Sequence, residues 1–226
     1  MNRYAVIVAG GTGSRFGSTL PKQFVPLNGE PVLMHSVRAF HIYDPTVEII
    51  VVLPNEYLTL WNDICRQHEF TVPHRIAIGG ENRFESVKNA LHTIKEAEGL
   101  VAVHDGARPL VDQQTIADGF NTAERCGSAI PVIPVTDSIR QLDRQGSHTI
   151  SDSEISVNVI NPSSPQVFNL SLLKEAYNTA YSPMFTDDAS VVEYRGTEVA
   201  LYKGNVRNIK ITHPDDIKIA EIILNK

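Results

Sequence analysis

A chain of 226 residues, 42% hydrophobic and 20% charged, has the length and composition of one globular α/β domain and can bury a sizeable core. Its 20 basic and 26 acidic residues leave a net charge of −6, so it carries no electrostatic footprint for duplex nucleic acid, and no apolar run reaches the ~20 residues of a membrane helix. The opening MNRYAVIVAGG is strand-like and runs into glycines, unlike a signal peptide, and Cys65 and Cys126 lack metal-ligand spacing. The expectation is a reduced, cytoplasmic setting, with both cysteines packed in apolar helical patterns.

Residues 4–9, YAVIVA, form a short apolar, β-branched run. Pro31 then marks a helix start, with Leu33, Val37 and Phe40 at helical spacing. EIIVVLP, 48–54, reads as a second buried strand. Tyr57, Leu60, Trp61, Ile64 and Cys65 share one helical face, and RIAIGG follows as a third strand. A helix is expected over 83–96 with Val87, Ala90, Leu91 and Ile94 inward. LVAVHDGARP is a fourth strand ending in a polar loop, Ile116, Phe120 and Ala123 mark another helix, and 129–135 is a fifth strand. This alternation of near-continuous apolar strands with helices predicts a Rossmann-like, mostly parallel sheet flanked by helices.

The rhythm breaks over 139–160, which is polar, lacks helical period and has a Gln-Gly turn between two alternating runs. It reads as a projecting β-hairpin arm, and because a lone hairpin is marginal in water, it is expected to pack on a second subunit. LSLLKEAYNTAY restores the helical pattern, and TDDASVVEYRG reads as a capped short helix ending at Gly196. EVALYKG and RNIKIT are expected late strands, and HPDDIKIAEIIL a closing helix with Pro214 near its first turn. No repeat or linker divides the chain, so 1–226 is read as a single domain.

The loop AGGTGSRFGSTLPKQF holds the first chemistry. It lacks the Gly-Lys pair of a Walker A loop. Gly11 and Gly13 begin a dinucleotide fingerprint, but Phe16 stands at its third glycine, which disfavours a nicotinamide-dependent oxidoreductase. What is present is a chain of glycines whose N–H groups can turn toward an anion, with Arg15 and Lys22 as flanking cations. Leu20-Pro21 forms a rigid extended step that aims Lys22. Such a loop fits a triphosphate under attack at phosphorus; a plain strand-to-helix turn bearing two solvated cations stands beside that reading.

Together with GGENRFESV, VHDGARP, VTDSI, PQVF, TDDAS and NIKIT, in that order, this loop resembles the signature of the nucleotidyltransferases that load a polyol phosphate onto a nucleotide. The set resembles most closely the 2-C-methyl-D-erythritol 4-phosphate cytidylyltransferases of non-mevalonate isoprenoid synthesis, with the D-ribitol 5-phosphate cytidylyltransferases as near relatives. The resemblance implies transfer of a cytidylyl group from CTP to a polyol phosphate, with release of pyrophosphate. A phosphate nucleophile is already anionic, so the chemistry needs positioning and charge stabilisation rather than a strong base.

By that resemblance Arg15 and Lys22 stabilise charge on the α-phosphate and leaving pyrophosphate, and Lys210 orients the polyol phosphate. The nucleotide lies against Ala9, Gly10, Gly11 and Gly13, its cytosine against Gly79, Gly80, Glu81 and Ser86. The polyol meets Asp105, Arg108, Thr186 and Asp187. Mg²⁺ is carried by the triphosphate with no direct protein ligand, Asp105 reaching it at most through water. Arg83 serves either the site or the helix start, His104 reads as a satisfied strand-end histidine, and Thr186, Asp187 and Asp188 resemble a helix cap.

One departure stands out: SSPQVF replaces a QTPQ-type motif, and Ser156 occupies a position where the family usually carries an arginine that reaches the polyol phosphate from a partner's arm. Arg140 or Arg144 is a candidate substitute. The ribitol phosphate activity and a non-catalytic nucleotide-binding protein of the same fold are the alternatives.

Overall fold

The computed structural model describes residues 1–11, 20–136 and 160–225, with the backbone alone at 141–142 and 149–150. The strands are β1 (Arg3–Val8), β2 (Pro26–Leu27), β3 (Glu30–Pro31), β4 (Glu48–Leu53), β5 (Arg75–Ile78) and β6 (Leu100–Asp105), then β7 (Ser128–Pro134), β8 (Gln141–Leu142), β9 (Thr149–Ile150), β10 (Ile160–Pro162), β11 (Gln166–Asn169) and β12 (Leu201–Lys203). The helices are α1 (Val32–Tyr43), α2 (Leu58–Gln67), α3 (Arg83–Thr93), α4 (Gln113–Cys126), α5 (Leu170–Ala176), α6 (Asp188–Tyr194) and α7 (Pro214–Leu224). None of the described helices is long and apolar enough to cross a membrane.

Eight strands form one sheet in the order β10-β7-β11-β6-β1-β4-β5, with β12 on β7. The β6, β1, β4 and β5 pairings are parallel, as the alternation of strands and helices predicts. β11 enters antiparallel between β6 and β7, and β10 also runs antiparallel to β7. Strand side chains alternate between two cores. Ala5, Ile7, Ile49, Val51 and Ala102 pack on one face with Phe40, Trp61 and Phe120. Tyr4, Val6, Ile50, Val52 and Val103 pack on the other with Val87, Leu91 and Leu173. Burial on both faces explains why these strands read as continuous apolar runs.

The helices begin and end where their caps dictate. The Asn82 side chain accepts the Glu85 N–H at α3, and Asp112 accepts the Thr115 N–H at α4. Gly127 ends α4 at φ 81°, a left-handed conformation that costs glycine little. Pro214 opens α7, where the Asp216 carboxylate accepts both the Thr212 and His213 N–H groups at 2.7 Å.

Three expectations change. RNIKIT is not a strand: its Ile211 N–H bonds the Ala107 carbonyl and its Ile209 N–H bonds Arg207 locally, so no strand ladder forms. Its alternation is nevertheless real, with Ile209 and Ile211 packed into a small core against α7 and Lys210 turned away. Cys126, the last residue of α4, is exposed rather than packed; Cys65 is half-buried, and burial pushes its thiol up to about 11. The 83–96 helix stops at Thr93. Of the arm at 139–160, only the antiparallel β8–β9 pair and Ile160, which belongs to β10, fall within the described residues.

Candidate active site

The carboxyl ends of β1, β4, β5 and β6 meet along one edge, as the ligand-binding rule for such sheets requires. Backbone bonds lock them together: Ala9 N–H to Val52 O, Gly79 N–H to Leu53 O and Gly106 N–H to Val8 O, each at 2.8–2.9 Å. Gly13 and Arg15 lie outside the described residues. Lys22 opens a 3₁₀ turn over Lys22–Phe24, after Pro21 in extended conformation. Its neighbours hold that turn in place. The buried Gln23 side chain donates to Ala9 O at 2.8 Å, and Phe24 packs on Trp61 and Tyr57.

Beyond β5 the chain passes through Gly79 and Gly80 into α3. The Ser86 hydroxyl accepts the Gly80 N–H at 3.0 Å and donates to Asn82 O at 2.8 Å. A Cβ on Gly79 would stand 3.3 Å from that hydroxyl, and one on Gly10 3.8 Å away, so both glycines close over Ser86. The predicted nucleotide residues Gly10, Gly79, Gly80 and Ser86 are therefore brought together. Ser86 is 3% exposed, and its hydroxyl hydrogen is spent on the loop, so it retains only acceptor capacity toward a ligand. Glu81 is exposed in the turn.

A second cluster lies at the end of β6, in a cleft of about 240 Å³ lined in part by Asp105, Arg108, Thr186, Asp187 and Lys210. Three cations converge on Asp105: Lys210 Nζ at 2.9 Å, Arg108 Nε at 3.2 Å and Arg83 Nε at 4.0 Å. Burial would push the Asp105 carboxyl up, but the charges of Lys210, Arg83 and Arg108 outweigh it and hold the group far below the usual carboxylate range. Arg108 also donates to Asn208 O at 2.8 Å, so the Asp105–Arg108 pair shapes its own loop. The predicted polyol residues thus share one cleft, in which the Lys210 side chain is 41% exposed and Thr186 is also open to solvent.

Arg83 is more than a helix-start residue. Its guanidinium grips Asp188 through two bonds of 2.6 and 3.1 Å. Asp188 is fully buried and accepts the Tyr177 hydroxyl at 2.6 Å. The pair therefore ties the N-terminus of α3, beside the Gly79–Gly80 loop, to that of α6, beside the cleft. This corrects the reading of 186–188 as one cap. Asp187 alone caps α6, in a capping box with Ser190, while Asp188 is the buried partner of Arg83.

His104 is fully buried against Phe40, and burial pushes its imidazole down to about 4. Its Nε2 lies 3.1 Å from Arg108 O and its Nδ1 3.0 Å from Ser164 Oγ. It is a satisfied core histidine, as the sequence suggests, and no free base stands among the described residues of the cleft.

A family model for 2-C-methyl-D-erythritol 4-phosphate cytidylyltransferase, IspD, matches residues 4–226. Among curated relatives, the enzyme of that name from Phocaeicola vulgatus is 48% identical over 224 residues, covering 99% of this chain and 100% of its own length. The Porphyromonas gingivalis enzyme of the same name is 43% identical, covering 98% and 97%. This chain belongs to the 2-C-methyl-D-erythritol 4-phosphate cytidylyltransferase family. The Thermus thermophilus crystal structure of that name superposes with a TM-score of 0.78 at 28% identity, covering 100% of both chains. A 4-diphosphocytidyl-2C-methyl-D-erythritol synthase from Anaerococcus prevotii gives 0.83 at 23% identity over 100% of this chain and 96% of its own, a likeness of fold.

Within this member of the family, sequence reasoning passed over the residues that hold the others in place. Gln166 donates to Asp187 at 2.8 Å and accepts the Ala189 N–H at 2.9 Å, fastening α6 to the sheet. Asn208 donates to Ser164 O at 2.7 Å and fixes the stretch that carries Lys210. The motif PQVF contains Gln166, but only the fold reveals its partner 21 residues away. Ser156, Arg140 and Arg144 lie outside the described residues.

Proposed function

We propose that the protein transfers the cytidylyl group of CTP to 2-C-methyl-D-erythritol 4-phosphate, releasing pyrophosphate. The observation that carries this reading is the convergence of Lys210, Arg108 and Arg83 on Asp105, at the sheet edge shared with the glycine loop and Lys22. Membership of the family supports it over the full length.

The reaction joins a polyol phosphate oxygen to the α-phosphorus of CTP and breaks the bond to the β-phosphate. The nucleophile is anionic and the leaving pyrophosphate needs no proton from a strong acid. That agrees with a cleft of cations in which the nearest histidine is buried and neutral. Lys210 holds the polyol phosphate, and Asp105 sets the position of that ammonium while accepting from polyol hydroxyls. Lys22 and Arg15 draw off the charge that develops on the α-phosphate and pyrophosphate. The loop at 79–86 receives cytosine: its glycines admit a flat base, and the spare acceptor on Ser86 suits the amino group of cytosine and not the carbonyl of uracil.

A divalent cation fits this site only as a partner of the triphosphate. Among the described residues no three His, Cys, Asp or Glu side chains form a cage, and both Asp105 oxygens face cations. When bound, Mg²⁺ would be carried by the triphosphate and would offset the charge of its oxygens. We extend the proposal to a homodimer joined through 139–160, which sedimentation as a monomer at micromolar concentration would refute.

The experiment is a pyrophosphate-release assay with CTP, UTP or ATP against methylerythritol phosphate, D-ribitol 5-phosphate and other polyol phosphates. CTP with methylerythritol phosphate should dominate. Faster turnover of ribitol phosphate would change the polyol and leave the cytidylyl transfer standing. Equal release from CTP and ATP would remove the base assignment.

A further inference from the structure

The four residues Asp105, Gly106, Ala107 and Arg108 form the turn that presents two charged side chains to the cleft. Its geometry is held from behind. The carbonyl of Arg108 can only accept, so the bond at 3.1 Å requires that His104 Nε2 carry the hydrogen. In a neutral ring Nδ1 must then accept, and the Ser164 hydroxyl, 3.0 Å away, donates to it. The same hydroxyl accepts the Asp105 N–H at 3.1 Å. A directed chain results: Asp105 N–H to Ser164 Oγ, Ser164 O–H to His104 Nδ1, and His104 Nε2–H to Arg108 O. It begins on one charged residue of the turn and ends on the other.

Its two middle members are enclosed: His104 is fully buried and Ser164 is 3% exposed. Each hydrogen has one acceptor and one direction, which favours a single pitch of the turn. The turn is also tied by the Arg108 N–H to Asp105 O at 2.9 Å, and by Ala107 O, which receives the Ile211 N–H at 2.8 Å beside Lys210. A shift of residues 105–108 therefore moves Asp105, Arg108 and the backbone that bears Lys210 together.

We propose that His104, through Ser164, is a positioning residue for the polyol phosphate: it sets the turn that aims Asp105, Arg108 and indirectly Lys210, and takes no part in proton transfer. The inference rests on the polyol reading of this cleft given above. The proposed nucleotide loop, built from β1, β5 and α3, lies outside this chain of bonds and meets the turn through Gly106 N–H to Val8 O and the Arg83–Asp105 contact.

The test uses three variants and two Michaelis constants. His104→Phe keeps an aromatic ring against Phe40 and removes both bonds. His104→Gln keeps a donor toward Arg108 O, and His104→Asn keeps an acceptor toward Ser164. In the Phe variant, kcat/KM for methylerythritol phosphate should fall on the order of 10²-fold, the scale of a misplacement of about 1 Å. The KM for CTP should stay within about twofold, because uniform binding of the nucleotide is untouched. The Gln and Asn variants should each recover part of the loss. A purely structural role would lower the melting temperature without splitting the two constants. Equal rises in both constants, or a folded Phe variant with wild-type kcat/KM for the polyol, overturn the inference. Should the Phe variant not fold, the Gln and Asn variants decide on the same split. A wild-type protein that releases no pyrophosphate with any polyol phosphate overturns the polyol reading itself, and this inference with it.

Discussion

On the proposed reading, single residues divide into those that would meet phosphate and those that hold them in place. Lys22 is proposed for the first kind, its turn set by a buried glutamine and a packed phenylalanine on the residues that follow it. Lys22→Ala should leave the fold and melting temperature intact and lower kcat by about 100-fold or more, the scale of losing one transition-state donor. Near-normal pyrophosphate release would remove the assigned role. Arg83 is of the second kind. Asp188 is fully buried, so Arg83→Ala strands an uncompensated charge and should destabilise by about 3–5 kcal/mol. Asp188→Ala should do likewise, and the double variant should cost clearly less than the sum of the two. Additive urea-melt losses would show that the pair is not coupled.

At the scale of elements, the loop between β5 and α3 is built around one close approach. A Cβ on Gly80 would lie 2.4 Å from the Cβ and 3.0 Å from the carbonyl carbon of Glu85. Neither atom is the free end of a flexible side chain, so the turn must shift. Gly80→Ala should therefore raise the KM for CTP by about tenfold or more, as expected for lost nucleotide binding. The KM for the polyol phosphate should hold, and an unchanged KM for CTP would place the base elsewhere. Helices were legible in the sequence because their periods and some of their boundaries are local. Pro214 marks a helix start within a turn of its own position, whereas Asn82, Asp112 and Gly127 mark boundaries just as locally but were not read as caps. The β-branched runs likewise announced strands buried on both faces. RNIKIT misled because apolar alternation reports which side chains are buried, not where the backbone N–H groups go. The antiparallel insertion of β11 between β6 and β7 is a matter of register over long separation and left no local mark. For the same reason the cleft residues Asp105, Thr186 and Lys210 were named one by one, Thr186 and Lys210 through resemblance, whereas the bonds from Gln166, Asn208 and Ser164 that bring them together were not read.

Across the whole molecule, a cleft of fixed charges and the buried imidazole of His104 give acid sensitivity a definite window. His104 titrates near 6.5 when unfolded; burial, aided by the charges of Arg108 and Lys210, pushes it down to about 4 and outweighs the Asp105 carboxylate and the Arg108 carbonyl, which favour the charged form. Between these values the unfolded chain binds a proton that the native state refuses. Stability from this group is thus fully present above about pH 6.5 and lost as pH falls toward 4, by up to about 3 kcal/mol. Asp105 acts lower down: its carboxyl is depressed on folding, so its contribution holds above the ordinary aspartate range and is lost only in stronger acid. Urea melts at pH 7, 5.5 and 4.5 should show stability falling through this interval. His104→Gln, which cannot titrate, should flatten the fall between about pH 6.5 and 4 and leave the decline at lower pH, where Asp105 is protonated. If the variant and the wild type lose stability in parallel across that interval, the imidazole is not the group that the native core holds neutral.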